Sequence, residues 1–252
     1  MSTLTTATLT DPGIVRKVNQ DSVRVIVPGS RQQEKGTMII VADGLGGYAA
    51  GDVAGGIVVA ELPRLYYESD DQDRARSLRN ATIETNEILR AESSRPGPRM
   101  GMASTVVAAV ILDRTLIVMN VGDSRAYVLR HGRLHKITQD HCVPVGKDPA
   151  KPVRALTQSI GAKKHVTPYV NTMLIQEKDL ILLCSDGLTD MLADEEIRVI
   201  VSRHETPAEL ATALVDSANR NGGQDNITVA VSSVVKTEKT IDEVAKKPSL
   251  TM

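Results

Sequence analysis

Three aspartates stand beside a glycine or serine at the ends of apolar runs, and a fourth comes just before one. Asp43 follows residues 38–42, Asp123 follows 116–121, Asp186 follows 180–184, and Asp225 precedes the run 227–235. Hard divalent cations take oxygen ligands, and carboxylates on rigid strand ends with small neighbours leave space for a metal and its waters. These residue types suit Mg²⁺ or Mn²⁺. Taken singly, each acid also fits an ordinary turn, because Asp-Gly and Gly-Asp close hairpins and end strands. The stretch Arg16-Lys17-Val18-Asn19-Gln20-Asp21 adds a guanidinium able to fork onto a phosphate and one more acid. By itself that stretch reads as a solvated charged face.

Other chemistries fit less well. The glycine-rich segment from Asp43 through Gly44, Gly46 and Gly47 to Tyr48 and Gly51 could cradle phosphate on backbone N–H groups. It lacks the GxxxxGK[ST] pattern, and an acid at its head would face a pyrophosphate. The preferred reading turns Asp43 and the Gly44 carbonyl toward metals, with the later glycines giving the backbone room. Zinc is disfavoured, because His131, His135, His141, His165 and His204 show no paired His/Cys spacing with companion ligands. These histidines read as surface or turn residues.

The acids need a scaffold. Residues 38–42, 105–112, 116–121 and 180–184 are nearly unbroken apolar runs, so both faces of each strand are covered. Asp113-Arg114 and Gly122-Asp123-Ser124 are too short for helical crossovers, which predicts antiparallel neighbours on either side of each link. Sheet packed on sheet with helices outside follows. Residues 73–92 place Leu78, Ala81, Thr85, Ile88 and Leu89 on one helical stripe, and 207–220 do so with Leu210, Ala213, Leu214 and Ala218. The second helix carries a full start signal: Thr206 as cap, Pro207 first in the helix, Glu209 completing a capping box, with Gly222-Gly223 beyond its end. A third helix is expected over 52–66, ended or kinked by Pro63. The last strand is 227–235, and the polar stretch 236–252 reads as a mobile tail.

Length and composition set limits. A chain of 252 residues can bury one full core, so a single domain over 1–235 is expected. Thirty Lys and Arg balance 31 Asp and Glu, which offers no basic field for nucleic acid or an acidic membrane. With five Tyr and no Phe or Trp, there is no base-stacking platform, and the core must be aliphatic. Cys142 and Cys184 are far apart, no signal-peptide pattern opens the sequence, and no apolar run approaches a membrane span. A soluble, cytoplasmic monomer is the expectation.

Five motifs in order, Arg16-x-x-Asn19-x-Asp21, Asp43-Gly44-x-Gly46-Gly47, Gly122-Asp123-Ser124-Arg125, Ser185-Asp186-Gly187 and Asp225-Asn226, resemble the metal-dependent protein phosphatase family, type 2C, in its compact bacterial form. The resemblance covers about residues 5–235 and implies an α+β fold, a four-layer α-β-β-α sandwich of mostly antiparallel sheets. It implies a serine/threonine phosphatase with two core Mn²⁺ or Mg²⁺ ions and a weaker third. Asp43 would bridge the core ions, Asp186 and Asp225 would complete one site, and the Gly44 carbonyl with a water-mediated Asp21 would serve the other. Asp123 with Asp186 would hold the third. Two cations about 3.5–4 Å apart acidify a shared water and clamp the phosphoryl oxygens, so hydroxide attacks phosphorus in line. Arg16 would bind the non-bridging oxygens and offset transition-state charge. No phosphoenzyme is required, so Ser124, Ser185 and Cys184 are not assigned as nucleophiles, and Asn226 is expected to fix the Asp225 loop. Phosphorylated proteins, a serine/threonine kinase and its substrates are the implied partners.

Two departures stand out. Tyr48 occupies a position where bacterial relatives often carry histidine, and the flap over 141–155 is short. That segment holds Pro144, Pro149 and Pro152 with Lys147, Lys151 and Arg154, and reads either as a solvated loop or as a basic lip steering phosphopeptides. Two alternatives are a weakly active phosphoprotein-binding module and a nucleotide-binding enzyme using Gly44 to Gly51.

Overall fold

The computed structural model describes residues 2–46, 50–145, 154–203 and 205–236. Along the chain run β1 (Ser2–Asp11), β2 (Asp21–Ile26), a 3₁₀ turn (Ser30–Lys35), β3 (Thr37–Leu45), α1 (Gly51–Glu68) and α2 (Arg74–Ser93). Then come β4 (Ala103–Ser104), β5 (Val106–Leu112), β6 (Thr115–Val121), β7 (Arg125–Arg130), β8 (Arg133–Lys136), β9 (Cys142–Pro144) and β10 (Arg154–Leu156). The chain closes with β11 (Tyr169–Leu174), β12 (Leu180–Cys184), α3 (Asp186–Thr189), α4 (Asp194–Val201), α5 (Pro207–Arg220) and β13 (Ile227–Lys236).

One sheet runs β1-β13-β12-β7-β8 and the other β11-β6-β5-β3-β2, with β4 paired to β3. Every described strand pairing is antiparallel. Successive side chains of a strand point to opposite faces, which explains the unbroken apolar runs. In β3, Met38, Ile40 and Ala42 pack with α1 and α2, while Ile39 and Val41 face the other sheet. In β12, Leu182 and Cys184 pack with α4 and α5, while Ile181 and Leu183 meet the inner face of the β11-β6-β5-β3-β2 sheet. Three apolar seams thus separate four layers, and each fully buried aliphatic side chain adds about 1.5–3 kcal/mol of transfer free energy.

The helices follow their caps. Asp73 accepts from the N–H of Arg76 (3.0 Å) and starts α2. Thr206 and Glu209 form the expected reciprocal box on α5, each bond 3.3 Å. Ile88 and Ala213, placed on the apolar stripes by spacing, end half-buried at the margins. The helix expected over 52–66 is α1, which Pro63 does not end and which runs two residues further, to Glu68. Beyond the proline, Tyr66 and Tyr67 are anchored through hydroxyls donating to the carbonyls of Lys35 (2.7 Å) and Gly36 (2.8 Å), so tertiary bonds hold the turn that Pro63 weakens.

Two further corrections bear on the site. Asp43 does not follow a strand: β3 continues through Leu45, with Asp43 opposite Asp21 of β2 and Gly44 opposite Ser104 of β4. The link Gly122-Asp123-Ser124 is not a hairpin either, because β6 and β7 belong to different sheets. Gly122 has φ +107°, and a Cβ there would lie 2.7 Å from Thr105, so only glycine lets the chain step across between the layers. Asp113-Arg114 does close the expected β5–β6 hairpin.

Candidate active site

The acids gather at one end of the sandwich. β3 and β2 present Asp43 and Asp21 side by side, the sheet-crossing link carries Asp123, α3 begins at Asp186, and the loop entering β13 carries Asp225. A cleft of about 820 Å³ opens there, lined among others by Arg16, Asp123, Arg154, Asp186, Asp190 and Asp225. Asp21, Asp43 and Asp186 keep a sliver of solvent access, yet dense protein surrounds them. Burial is the first reason the Asp21 carboxyl is pushed up to about 7, with Asp186 and Asp225 adding repulsion and Ser185 opposing. Burial likewise holds Asp43 and Asp186 well above the usual carboxylate range, and each feels the other acids of the group. Asp123 is raised by burial and partly relieved by Arg154.

Local hydrogen bonds fix the frame. The Asp43 carbonyl accepts from the N–H of Thr105 (2.9 Å) and from Ser104 Oγ (2.9 Å), and its own N–H donates to Thr105 Oγ1 (3.2 Å). Ser185 Oγ donates to Asp21 Oδ2 (2.7 Å) and accepts from the N–H of Thr228 (3.0 Å), which makes it a brace between sheets. Ser124 is buried against Thr105 (2.6 Å). Neither serine is placed as a nucleophile.

Arg16 reaches the group, with Nη2 donating to Asp225 Oδ2 at 2.7 Å while about half the side chain stays exposed. Asp225 Oδ1 accepts from the N–H of Asn226 (2.8 Å). Sequence reasoning left Arg16 free for substrate and missed this pairing, which joins residues 209 apart in sequence. It also placed Asn226 as support for the Asp225 loop. The side chain does more: Nδ2 donates to the carbonyls of Pro12 (2.9 Å) and Val18 (3.0 Å), and Oδ1 accepts from the N–H of Gln20 (2.9 Å). Asn226 therefore staples both ends of the loop that carries Arg16.

The short flap is partly described. Its ends form the β9–β10 ribbon, and Arg154 of β10 pairs with Asp190 at the end of α3. Residues 146–153, with Lys147, Pro149, Lys151 and Pro152, lie outside the described residues, as do Gly47, Tyr48, His204 and the tail from 237. His131, His135 and His165 are exposed as expected. His141 lies half-buried in the link before β9, and its Nδ1 accepts from the N–H of Gly122 (3.2 Å).

The residues present fit divalent cations of the hydrated kind. Asp21 Oδ1 is buried with no hydrogen-bond partner, and among the described residues no Lys or Arg ion-pairs with Asp21, Asp43, Asp123 or Asp186. Also among the described residues, no three acidic, histidine or cysteine side chains close on one ion by themselves. The cluster offers oxygen donors, carboxylates and the Gly44 carbonyl, and such hard donors suit Mg²⁺ or Mn²⁺, which retain several waters.

An α-β-β-α sandwich with a clustered, mutually repelling set of aspartates and two arginines at its cleft suits metal-dependent hydrolysis of a phosphoester. Residues 15–228 match the family described as Protein phosphatase 2C. Protein phosphatase PhpP of Streptococcus pneumoniae is 33% identical over 239 residues, covering 90% of this chain and 96% of that protein. The serine/threonine phosphatase stp of Listeria monocytogenes is 33% identical over 249 residues, covering 91% and 96%. The crystal structure of the catalytic domain of the serine/threonine phosphatase PstP with two manganese ions superimposes with a TM-score of 0.80 at 31% identity, covering 94% of this chain and 100% of that one. The chain belongs to the protein phosphatase 2C family. Its activity is metal-dependent hydrolysis of phosphoserine and phosphothreonine in proteins. Among the described residues, no helix is long and apolar enough to cross a membrane.

Proposed function

We propose that Asp43, Asp186, Asp225 and the Gly44 carbonyl hold two core cations, with Asp21 acting through water and Asp123 with Asp186 offering a weaker third place. The observation that supports this reading is the convergence of Asp21, Asp43 and Asp186, surrounded by protein and repelled by neighbouring acids, with no Lys or Arg ion-paired to any of the three among the described residues. When bound, the cations supply an acidified water and positive charge at the phosphoryl oxygens. Arg16 contributes a planar donor set half open to the cleft, suited to the non-bridging oxygens of a phosphate. Its present partner, Asp225 Oδ2, is also a proposed ligand, so Arg16 would exchange Asp225 for the substrate phosphate if Asp225 serves a cation. Asn226 keeps that guanidinium over the cleft, and Ser185 orients Asp21.

Mn²⁺ is the favoured ion, because a structural relative carries it. Residues 1–235 are the proposed catalytic unit, acting in the cytoplasm as a monomer on proteins phosphorylated by a partner serine/threonine kinase, with no nucleic acid or membrane involved. The test is phosphate release from a phosphothreonine peptide by chelator-stripped protein given Mn²⁺ or Mg²⁺. Release that needs metal, collapses with Asp43→Ala and weakens with Arg16→Ala agrees with the assignment. Activity indifferent to Asp43→Ala would remove it.

A further inference from the structure

Gly122 turns the chain from one sheet to the other, and the next residue, Asp123, is buried in the cleft wall. Residues 122–124 lie between the end of β6 and the start of β7, so bonds outside the strand ladders must fix them. Three consecutive residues, Gln139, Asp140 and His141, supply those bonds. The Gln139 carbonyl accepts from Asn120 Nδ2 (2.8 Å), and the Gln139 N–H donates to Asn120 Oδ1 (3.4 Å). Asp140 takes the Arg125 guanidinium on both carboxylate oxygens, at 2.7 Å for the shortest bond.

His141 grips the pivot itself. Its N–H donates to the Gly122 carbonyl (2.9 Å), and its Nδ1 accepts from the Gly122 N–H (3.2 Å). That nitrogen accepts only in a neutral ring protonated on Nε2, and burial holds His141 below the usual histidine range, in the form that accepts. On the other side of Asp123, Ser124 Oγ bonds Thr105 Oγ1 (2.6 Å), and Thr105 pairs with the backbone of Asp43. One neighbour of Asp123 is therefore tied to the centre of the acid group and the other to His141. The His141 carbonyl also accepts from the N–H of Thr157 (2.8 Å), at the root of the β9–β10 ribbon.

We infer that His141 is a positioning residue for Asp123: by holding both the N–H and the carbonyl of Gly122, it fixes how the Asp123 carboxylate is presented to a cation and so sets the affinity of the weaker third place. The inference rests on the assignment of Asp123 with Asp186 to that place. Removing a group that orients a metal-binding carboxylate lowers metal affinity about 10- to 100-fold. Gly122 has no Cβ to stiffen the link, so the chain at this point depends on its partners for a fixed conformation.

The test is calorimetric titration of Mn²⁺ into the chelator-stripped full chain, beside Asp123→Ala, His141→Leu and His141→Asn. Asparagine offers a side-chain oxygen where Nδ1 stands, whereas leucine fills the space without an acceptor. The unaltered chain is expected to take a weaker ion after two tighter ones, and Asp123→Ala to lose the weaker step. His141→Leu should raise the Kd of that step at least about tenfold while the tighter steps keep theirs, and His141→Asn should bring it back to within about threefold. A weaker step that survives His141→Leu unchanged but not Asp123→Ala overturns the inference and leaves the third place standing. So does a loss spread over all the steps, or one that His141→Asn shares in full, because either marks a general effect on the fold rather than the bond to Gly122. Absence of a weaker step in the unaltered chain, or a weaker step indifferent to Asp123→Ala, overturns the third place and the inference together.

Discussion

Two aspartates flank the strand β12, and the fold treats them in opposite ways. Asp179, just before Leu180, is 2% exposed and grips Arg130, whose Nε donates to Oδ1 at 2.9 Å, while the N–H of Gln176 donates to Oδ2 at 2.7 Å. Asp186, two residues past Cys184, has no arginine or lysine paired to it and instead faces Asp43, Asp123, Asp190 and Asp225. The protein neutralises Asp179 from within but pairs no Lys or Arg with Asp186, which fits the proposed role of Asp186 in holding a cation. The contrast sets an acid that ties the sandwich together against one whose burial costs stability as long as its charge has no partner.

The sharpest way to break that contrast is Asp43→Asn assayed on a phosphothreonine peptide with saturating Mn²⁺. The kcat/KM is expected to fall at least about a thousandfold, while the metal-free variant unfolds no more easily than the unaltered chain, because one repelling charge has gone. Asp179→Ala should do the reverse. Urea unfolding is expected to show a loss of about 3 kcal/mol, from stranding Arg130 and the Gln176 N–H, with kcat per folded molecule little altered. Comparable activity losses in the two variants would end the distinction.

Smaller effects refine it. Arg16→Ala is expected to lower kcat/KM about 100-fold, as when one donor to a developing charge is removed. In the proposed assignment Arg16 and a cation share Asp225 Oδ2, so calorimetry should show Mn²⁺ binding at least as tight in this variant, and weaker binding would count against the competition. Mn²⁺ at about 100 times its Kd should stabilise the unaltered chain by about 2.7 kcal/mol, with chelator reversing the shift in Tm. Asn226→Ala loosens the Arg16 loop without touching substrate, so a fall of about tenfold in kcat/KM is expected, carried more by kcat than by KM.

The acid set was legible because its residue types and small neighbours stand in order along the chain, and because the apolar runs beside them announce strands covered on both faces. The α5 capping box was legible for a local reason, since all its partners lie within one turn. The strands β1, β2 and β11 gave weaker signals: their half-buried, Thr- and charge-bearing sequences do not form an apolar run. The passage from β6 to β7 misled because a three-residue link looks the same whether it closes a hairpin or steps between sheets. Only the φ of +107° at Gly122 and its contact with Thr105 separate the two.

By itself the sequence determined the identities of Asp43, Asp123, Asp186 and Asp225, the layered aliphatic core and the family to which these motifs belong. Only the tertiary structure decided that Asp21 lies across from Asp43, that Ser185 braces it, that Arg16 rests on Asp225 and that Asn226 holds the Arg16 loop from more than 200 positions away. The physical reason is range: propensity, capping and periodicity act over a few residues, whereas a hydrogen bond between β2 and the residue that precedes α3, or a carboxylate's burial, exists only after both sheets have closed on each other.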